Sequence, residues 1–358
     1  MIGLATLFSA RAVVFYGSGD PTHNSSAPTG TLADSGWQWQ GIWGGLLGTA
    51  IAPGFFVTAA HVGGGPGQMF YLNLTEKNYV TVASYLAPNA DLRIWQVAGT
   101  FPSFAPRYNG SAERNKGAVV LGRGGERGDP VVVTGALGPE TKGWLWSSAD
   151  TATRWGTNTV AAVIDASGAS VNGRSALPDD LLRFTFDANA GTDEVTLSVG
   201  DSGGGVFVLD GGVWKLAGVN HAVESTYRFT ADGPDFSAAI FDRGGLYNQT
   251  TTGWVLVPDQ PVNLPAAFYA VRMAGNESWI ASVIAGQVTP EKVMAVESAT
   301  APEGPYADEP AAQLQAANSQ FLVPVTGQAR FYRLRADYAV NVNSATVVGR
   351  NLVLRFGP

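Results

Sequence analysis

Cysteine is absent from this 358-residue sequence, which excludes disulfide bonds, thiolate metal sites and a cysteine nucleophile. Because an exported protein need not carry disulfides, this absence leaves the compartment open. Charge is sparse as well, since charged residues make up 14% of the chain and the net charge of −7 comes without a basic run. That composition argues against a nucleic acid as the binding partner.

Long apolar runs and metal-binding patterns are also missing. No apolar run reaches the length of a membrane-spanning helix, so no membrane span is expected. No acidic cluster has the spacing of a calcium loop, and we expect neither a metal site nor a cofactor. Histidine occurs at His23, His61 and His221, so any histidine-dependent chemistry must use one of these three.

Glycine and proline are abundant instead, with 45 and 20 residues. Such a turn content in a chain that is 45% hydrophobic predicts many short strands. Short apolar runs recur between turn residues without long helical patterns, which predicts an antiparallel β-barrel or sandwich. The runs cover residues 54–58, 68–74, 79–85, 92–97, 118–121, 131–133, 181–186, 206–209 and 213–219.

The first residues have features of an export signal. Residues 2–8 are apolar, and Ala10-Arg11-Ala12 has the small-x-small pattern that signal peptidase reads, without a basic region before it. The alternative is an ordinary first strand that continues into residues 12–15. We expect residues 1–12 to be a signal-peptide remnant and the mature chain to begin at Val13, in the periplasm or at the cell exterior.

From residue 267 onward the sequence pattern changes from short apolar runs to a helical pattern, a Pro- and Gly-rich segment and a final group of short runs. Apolar residues at helical spacings in 267–284 predict an amphipathic helix over its second half, with Asn276 as the N-cap. Residues 286–310 are rich in Ala, Pro, Glu and Gly, which predicts a linker. Four short apolar runs between 321 and 356 predict a small β module. Docking of a surface or a substrate and a purely structural role both fit this module.

Two motifs have the residues for nucleophilic catalysis by serine, which needs a base, a group that orients the base, and donors for the oxyanion. His61 ends the apolar run 55–60, where a histidine packed at a buried strand end is the alternative.

Ser202 lies in Gly-Asp-Ser-Gly-Gly-Gly, residues 200–205. Glycines on both sides allow a sharp turn that presents the hydroxyl and aims the amides of Gly200 and Ser202 at one point. An ordinary glycine-rich turn is the alternative.

At these motifs the sequence resembles the chymotrypsin/trypsin family of serine proteases, whose signatures Thr-Ala-Ala-His and Gly-Asp-Ser-Gly-Gly are both present, in that order. The resemblance implies a catalytic aspartate at the head of a strand between them, and Asp91 fits, 30 positions after His61. The order His61, Asp91, Ser202 differs from that of subtilisins and α/β-hydrolases.

The resemblance covers residues 13–286, with a weaker match at the predicted helix. It implies an all-β fold of two antiparallel six-stranded β-barrels with a C-terminal helix, and the site at the barrel interface. By this division, residues 287–320 are a linker and residues 321–358 a small β-rich C-terminal module outside the resemblance.

The resemblance also implies substrate contacts, although the motif departs from the family there. Residues 218–223 read Gly-Val-Asn-His-Ala-Val where the family has Gly-Ile-Val-Ser-Trp-Gly. His221 replaces a serine that touches the catalytic aspartate, so either its ring makes that contact or the strand is shifted. We expect His221, Ala222 and Val223 to pair with the substrate backbone, and Thr196 to form the base of the specificity pocket. An uncharged Thr196 and a bulky Val223 predict small or medium apolar P1 residues.

The resemblance also bears on the partner of Asp201 and on a disulfide that this chain lacks. In trypsin-like enzymes a newly freed N-terminus pairs with the aspartate before the nucleophile, here Asp201, and Val13 would supply that terminus. The alternative is that Asp201 pairs with a buried arginine and needs no processing. The family's disulfide beside the catalytic histidine is absent, since Val62 occupies the neighbouring position.

The sequence therefore predicts a secreted serine endopeptidase that hydrolyses protein or peptide substrates through an acyl-enzyme. A catalytically inactive barrel of the same fold that acts as a binding protein is the alternative. An exported structural or adhesive β protein with chance motifs is a third interpretation.

Overall fold

Short apolar runs between turns form strands through most of the computed structural model, which describes residues 13–135, 138–147, 152–165, 170–171, 174–175, 181–250, 252–325 and 330–358. The expected signal segment, residues 1–12, lies outside the described residues. In chain order the first strands are β1 (Val14–Phe15), β2 (Gln40–Trp43), β3 (Leu46–Ala52), β4 (Phe55–Ala59), β5 (Met69–Leu72), β6 (Lys77–Leu86) and β7 (Leu92–Val97).

The middle of the chain continues this pattern. Its strands are β8 (Gly117–Gly122), β9 (Arg127–Gly135), β10 (Gly138–Trp146), β11 (Arg154–Thr159), β12 (Ala162–Ile164), β13 (Ser170–Val171), β14 (Arg174–Ser175), β15 (Leu181–Thr185), β16 (Val195–Thr196), β17 (Gly205–Asp210), β18 (Val213–Val223), β19 (Thr226–Arg228), β20 (Phe236–Ile240), β21 (Tyr247–Thr250), β22 (Gly253–Leu256) and β23 (Ala267–Arg272).

A helix and further strands complete the chain. They are α1 (Met273–Ile284), β24 (Lys292–Val293), β25 (Ala295–Ala299), β26 (Ala307–Asp308), β27 (Gln313–Gln315), β28 (Gln320–Pro324), β29 (Phe331–Arg335), β30 (Asn341–Val348) and β31 (Asn351–Gly357). Short 3-10 turns lie at Gly30–Leu32, Trp37–Trp39, Ala60–Val62 and Ala316–Asn318.

The first sheet closes into a six-stranded antiparallel barrel. Its strand order is β6-β5-β2-β3-β4-β7, and β7 pairs back onto β6. Successive side chains of a strand point to opposite faces, and both faces of β4 are buried, since Phe56 and Val57 are fully covered. Phe56 stacks on Phe70 with ring centroids 3.9 Å apart. Burial on both faces explains why this strand is almost entirely apolar, and its one polar residue, Thr58, donates its hydroxyl to the carbonyl oxygen of Leu47.

The second sheet has the order β11-β8-β17-β18-β23-β15-β12 and forms a half-barrel. One apolar cluster joins it to the first barrel, since Leu47 and Ile94 of the first share that cluster with Leu121 and Phe207 of the second. The fold class is confirmed: strands predominate, a closed barrel packs against a half-barrel, and a helix follows. The site residues approach one another at the junction between the two sheets.

The C-terminal helix begins earlier than its sequence pattern predicts. Strand β23 leads directly into α1, whose first residue is Met273, and Arg272 takes the N-cap position. Asn276 is therefore not the N-cap. Its side chain instead donates to the carbonyl oxygen of Arg272 at 2.9 Å, within the first turn of the helix. The helix buries Met273 and Ile280 against the cluster between the two sheets.

The interpretation of residues 287–320 as a linker is wrong. Strands β24 to β27 lie in this range, and Met294 and Val296 are buried with Val80 and Val82 of the first barrel. The backbone of β24 pairs with β6, so this segment extends the barrel's own sheet. The described residues 292–325 and 330–357, hereafter the C-terminal module, thus share a core with the first barrel.

Buried Glu194 makes stability depend on pH. It accepts hydrogen bonds from Asn158 Nδ2 at 2.9 Å and from the Asp187 amide at 3.2 Å. Burial raises the pKa of Glu194 from 4.5 to about 8, although the bond from the Asp187 amide lowers it. The folded chain holds this proton more tightly than the unfolded chain, so the stabilisation is complete below pH 4.5 and is lost as the pH rises through 8.

Replacing Glu194 by glutamine is expected to raise the melting temperature at pH 9 by about 3 °C or more and to change it little at pH 5. Glutamine keeps the acceptor oxygen but never has to be buried as an anion. Thermal melts at both pH values test this, with the exposed Glu76→Gln as control. An equal change in melting temperature at pH 5 and pH 9 would contradict the assignment.

Candidate active site

Paired strands bring His61 and Asp91 side by side. His61 lies in the 3-10 turn directly after β4, and Asp91 directly precedes β7, which pairs with β4 through Ala59 opposite Leu92. The amide of His61 donates to Asp91 Oδ1 at 2.9 Å, and the amide of Ala60 donates to the Asp91 carbonyl at 3.2 Å. The backbone around the imidazole is therefore tied to the same aspartate that contacts its ring.

Ser202 approaches the histidine from the other sheet, in the turn before β17. Gly200 and Gly203 have φ angles of 99° and 81°, a region that favours glycine. A Cβ at Gly203 would overlap Thr58 Oγ1 and the carbonyl oxygen of Leu47, so this turn packs directly on β3 and β4. Gly200 is favoured by its positive φ, and Gly203 is favoured both by its positive φ and by this close contact with the first barrel.

A hydrogen-bonded chain links the three side chains. His61 Nδ1 lies 2.5 Å from Asp91 Oδ2, and His61 Nε2 lies 2.7 Å from Ser202 Oγ. The carboxylate of Asp91 is completely buried, whereas 35% of the His61 side chain is exposed. A carboxylate accepts only, so Nδ1 carries a proton in this arrangement, and Nε2 is free to accept one from the serine.

Asp91 is ionised in this setting. Burial opposes its charge and would raise its pKa, but hydrogen bonds from His221 and His61 outweigh burial and hold the pKa of the carboxyl well below its usual range. The carboxylate therefore keeps its charge at neutral pH. An ionised Asp91 can both orient the imidazole of His61 and stabilise it when it becomes positively charged.

His221 reaches the same aspartate through its ring. His221 Nδ1 lies 2.7 Å from Asp91 Oδ2, so two imidazoles share one carboxylate oxygen. The pairing of β18 with β23 is irregular between Asn220 and Ala222, which puts a bulge at His221. Bulges re-aim side chains. Of the two possibilities that the sequence left open, the structure has the ring contact.

The turn before Ser202 leaves two amides free to bind an anion. Within the described part of the chain, the amides of Gly200 and Ser202 donate to no acceptor. The turn is held by Asn220, whose Nδ2 donates to the carbonyl oxygens of Asp201 at 3.1 Å and Leu121 at 2.8 Å. Sequence reasoning missed Asn220, although a buried amide in an otherwise apolar strand is a signal for such a role.

Asp201 is fully buried beneath this turn. Its carboxylate accepts from the Ser198 amide at 2.7 Å, from Ser198 Oγ at 3.0 Å and from the Gly124 amide at 2.6 Å. Burial raises its pKa to about 7 despite these bonds. A positively charged partner would therefore strengthen the ionised form of Asp201.

Two candidates for that partner lie nearby. The side chain of Val13 and the carboxylate of Asp201 both flank Gly122, where a Cβ would lie 2.8 Å from Val13 Cγ1 and would overlap Asp201 Oδ1. Buried Arg154 also lowers the pKa of Asp201 by charge, while it pairs with Glu126 at 2.7 Å. No ion pair joins Asp201 to either candidate within the described residues, so the two alternatives from the sequence both stay open.

His61 and Ser202 face a cavity of about 770 Å³. Its apolar wall is formed by Leu46, Trp146, Leu197, Val199, Ala222 and Val223, and its polar wall by Arg123, Ser198, His221 and Ser225. Thr196, which the sequence placed at the pocket base, does not line this cavity. It is buried in β16 opposite Val14, and the wall is built from the residues that follow it.

Several cavity residues were invisible to sequence reasoning. Leu46, Arg123 and Trp146 come from three separate segments, and no local motif marks them. Arg123 Nη1 donates to the carbonyl oxygen of Gly45 at 2.7 Å, which joins the edges of the two sheets at the cavity rim. Only the tertiary packing brings these side chains to the same wall.

His61, Asp91 and His221 also form a group that could hold a metal ion. Their ligand atoms lie within 4.8 Å of one another. In this arrangement the ring nitrogens that face Asp91 are already hydrogen-bonded to its carboxylate, and His61 Nε2 is hydrogen-bonded to Ser202. These hydrogen bonds account for the close approach of the three side chains.

His23, the remaining histidine, lies outside the cavity. Its Nε2 is 2.8 Å from Asp193 Oδ1, so the chain contains a histidine–aspartate pair away from Asp91, without a neighbouring serine contact in the described residues. That pair provides a matched control for substitutions in the site. Separately, no helix in the described ranges is long and apolar enough to cross a membrane.

Comparison with known proteins gives little beyond this geometry. No protein-family model matches the chain, and no curated protein matches it. A search of solved structures finds kallikrein-related peptidase 10, with 15% sequence identity and a TM-score of 0.39, covering 71% of this chain and 98% of that one. The functional interpretation therefore depends on the side-chain geometry itself.

Proposed function

We propose that the protein is a serine endopeptidase that hydrolyses peptide bonds through an acyl-enzyme. The observation that supports this most strongly is the unbroken hydrogen-bonded chain from buried Asp91 through His61 to Ser202, which ends at the wall of a cavity large enough for a side chain. Nucleophile, base and orienting group within hydrogen-bond reach of one another are the recurring arrangement of this chemistry.

In the proposed mechanism, Ser202 Oγ attacks the scissile carbonyl while its proton passes to His61 Nε2. The developing oxyanion accepts hydrogen bonds from the amides of Gly200 and Ser202. Collapse of the tetrahedral intermediate breaks the C–N bond, and His61 gives its proton to the leaving amine. Water then attacks the acyl-enzyme, loses a proton to His61 and releases the acid, and Ser202 regains its proton.

The cavity wall supports a preference for small or medium apolar P1 residues. Leu197, Val199 and Val223 provide apolar surface, and Thr196, buried behind them, adds no negative charge. A cleavage profile over a peptide library is expected to favour such residues, and Val223→Gly is expected to extend the preference to larger side chains. Val262→Gly, at a residue 73% exposed, should leave the profile unchanged. A clear preference for arginine at P1 would contradict this pocket.

Export and processing form a further part of the proposal. Removal of residues 1–12 outside the cytoplasm would free an amine at Val13, whose side chain lies beside Gly122 and the carboxylate of Asp201. A chain that starts at Val13 is expected to react at least tenfold faster with an active-site probe than one with an extra alanine before Val13. Equal rates would favour Arg154 as the sufficient partner of Asp201.

A fluorophosphonate probe tests the proposed function. The folded protein is expected to be labelled once per chain, and Ser202→Ala is expected to lose the label. Ser225→Ala is the matched control, because Ser225 lines the same cavity, and it should be labelled like the parent. Absence of labelling in a folded sample that begins at Val13 would favour the binding-protein alternative.

A further inference from the structure

The loop after His61 is unusually flexible by composition. Residues 63–67 read Gly-Gly-Gly-Pro-Gly and follow the 3-10 turn that holds the imidazole. Glycine loses more conformational freedom on ordering than any other residue, so contacts from outside the loop must hold it. The chain has no cysteine that could fix this segment by a disulfide.

Four successive carbonyls of the loop, those of residues 63–66, each accept a hydrogen bond from elsewhere in the fold. Gly63 accepts from Trp43 Nε1 at 3.0 Å, and Gly65 accepts from Thr81 Oγ1 at 3.0 Å, both donors being in the first barrel. Gly64 accepts from Lys292 Nζ at 3.3 Å, and Pro66 accepts from the amide of Tyr338 at 3.1 Å. Two of these four donors therefore belong to the C-terminal module.

The module is itself firmly attached to the barrel that it contacts. Strand β24 pairs with β6. The amide of Met294 in the module donates to the carbonyl oxygen of Val82 at 2.7 Å, and the amide of Gly99 in the barrel donates to the carbonyl oxygen of Ala316 at 2.8 Å. Lys292 also pairs with Asp337 at 2.8 Å, which joins the two module segments that touch the loop. The module therefore provides a fixed wall for the loop.

We propose that the C-terminal module is a positioning element of the active site, which holds loop 63–67 and, through it, the imidazole of His61. Lys292 and Tyr338, which donate to the loop carbonyls, are the positioning residues, and neither lines the cavity of His61 and Ser202. This inference rests on the proposed function. It assigns the C-terminal module a role in the reaction in place of docking to a surface or a substrate.

Gly65→Ala tests this contact directly. A Cβ at Gly65 would overlap the Asp337 carboxylate, with Asp337 Cβ 2.5 Å and Cγ 2.7 Å away, and the φ of Gly65 is not in the left-handed region. The substitution therefore pushes the loop from the module without straining the backbone. Gly54→Ala is the control in the same barrel, because its Cβ would meet its nearest neighbour, the Gly99 carbonyl, at an ordinary 3.6 Å.

Gly65→Ala is expected to lower kcat and the rate of fluorophosphonate labelling by about tenfold or more, with KM little changed, since small displacements of a catalytic group cost this much. Adding Asp337→Gly should recover most of the loss, because it removes the side chain that the new methyl group meets. Asp337→Gly alone should cost little, since the Lys292–Asp337 pair is exposed.

The proton resonance of His61 Nδ1, identified by its loss in His61→Ala, reports the imidazole position even without turnover. It is expected to shift or broaden in Gly65→Ala and to remain in place in Gly54→Ala. Unchanged resonance and unchanged labelling, together with a lower melting temperature, would overturn the inference and leave the module a structural cap. A parent protein that never reacts with the probe would instead contradict the proposed function, and the resonance would still decide the positioning role.

Discussion

Replacing His61 by alanine is expected to lower kcat by about 10⁶-fold, and replacing Ser202 in addition is expected to lower it no further. The reason is that the two side chains act as one unit, in which the serine is a poor nucleophile until Nε2, at 2.7 Å, takes its proton. Rates of peptide hydrolysis by the single and double variants measure this non-additivity.

His23→Ala is the matched control for this experiment, because His23 also pairs with an aspartate, at 2.8 Å, but outside the cavity. It should retain the parent kcat. A His61→Ala protein with more than about a hundredth of the parent activity would show that another group activates Ser202. If the fall in kcat of the double variant equals the product of the falls in the two single variants, Ser202 and His61 act independently.

Replacing Asp91 by asparagine is expected to lower kcat by about 10⁴-fold with little change in KM. The amide still fills the buried site, but its NH₂ group can face His61 Nδ1 and His221 Nδ1 in place of an acceptor oxygen. His61 then carries its proton on Nε2, the nitrogen that must accept from Ser202. The measurement is steady-state hydrolysis at neutral pH, where the lowered pKa of Asp91 keeps the parent carboxylate ionised.

Asp193→Asn, in the other histidine–aspartate pair, is the control and should leave kcat unchanged. Because the lowered pKa of Asp91 means that the folded state favours its ionised form, Asp91→Asn is expected to melt at a somewhat lower temperature than the parent, and a thermal melt checks that it is folded under the assay conditions. A loss of activity of less than tenfold in the folded Asp91→Asn variant would contradict an orienting role for Asp91.

Much of the candidate site could be predicted because it depends on local patterns. Thr58-Ala59-Ala60-His61 ends an apolar strand, so its burial and the strand's end are readable from the sequence. The glycines around Ser202 are required by positive φ angles and by close contact with β3 and β4, and both requirements leave a signature in the sequence. Asp91 is assigned through the family resemblance, and the structure places it at the head of β7.

The parts that failed depend on tertiary packing. Composition predicted a linker at 287–320, but Met294 and Val296 find an apolar surface on the first barrel, which no local pattern reveals. Asn276 has the chemistry of an N-cap, but the end of β23, which still pairs Arg272 with Gly218, sets the start of the helix. The cavity wall at Leu197 and Val199 likewise depends on the tertiary placement of the segment after Thr196, which lines the same cavity as Ser202.

The most direct test of the central claim, that Ser202 is the nucleophile, is to trap the acyl-enzyme. Protein quenched in acid during hydrolysis of an activated acetyl ester is analysed by intact mass and peptide mass. The expected result is one acetyl group per chain on the peptide that contains Ser202, and none in Ser202→Ala. Ester hydrolysis without any acylated protein, or acylation at a different residue, would contradict the account.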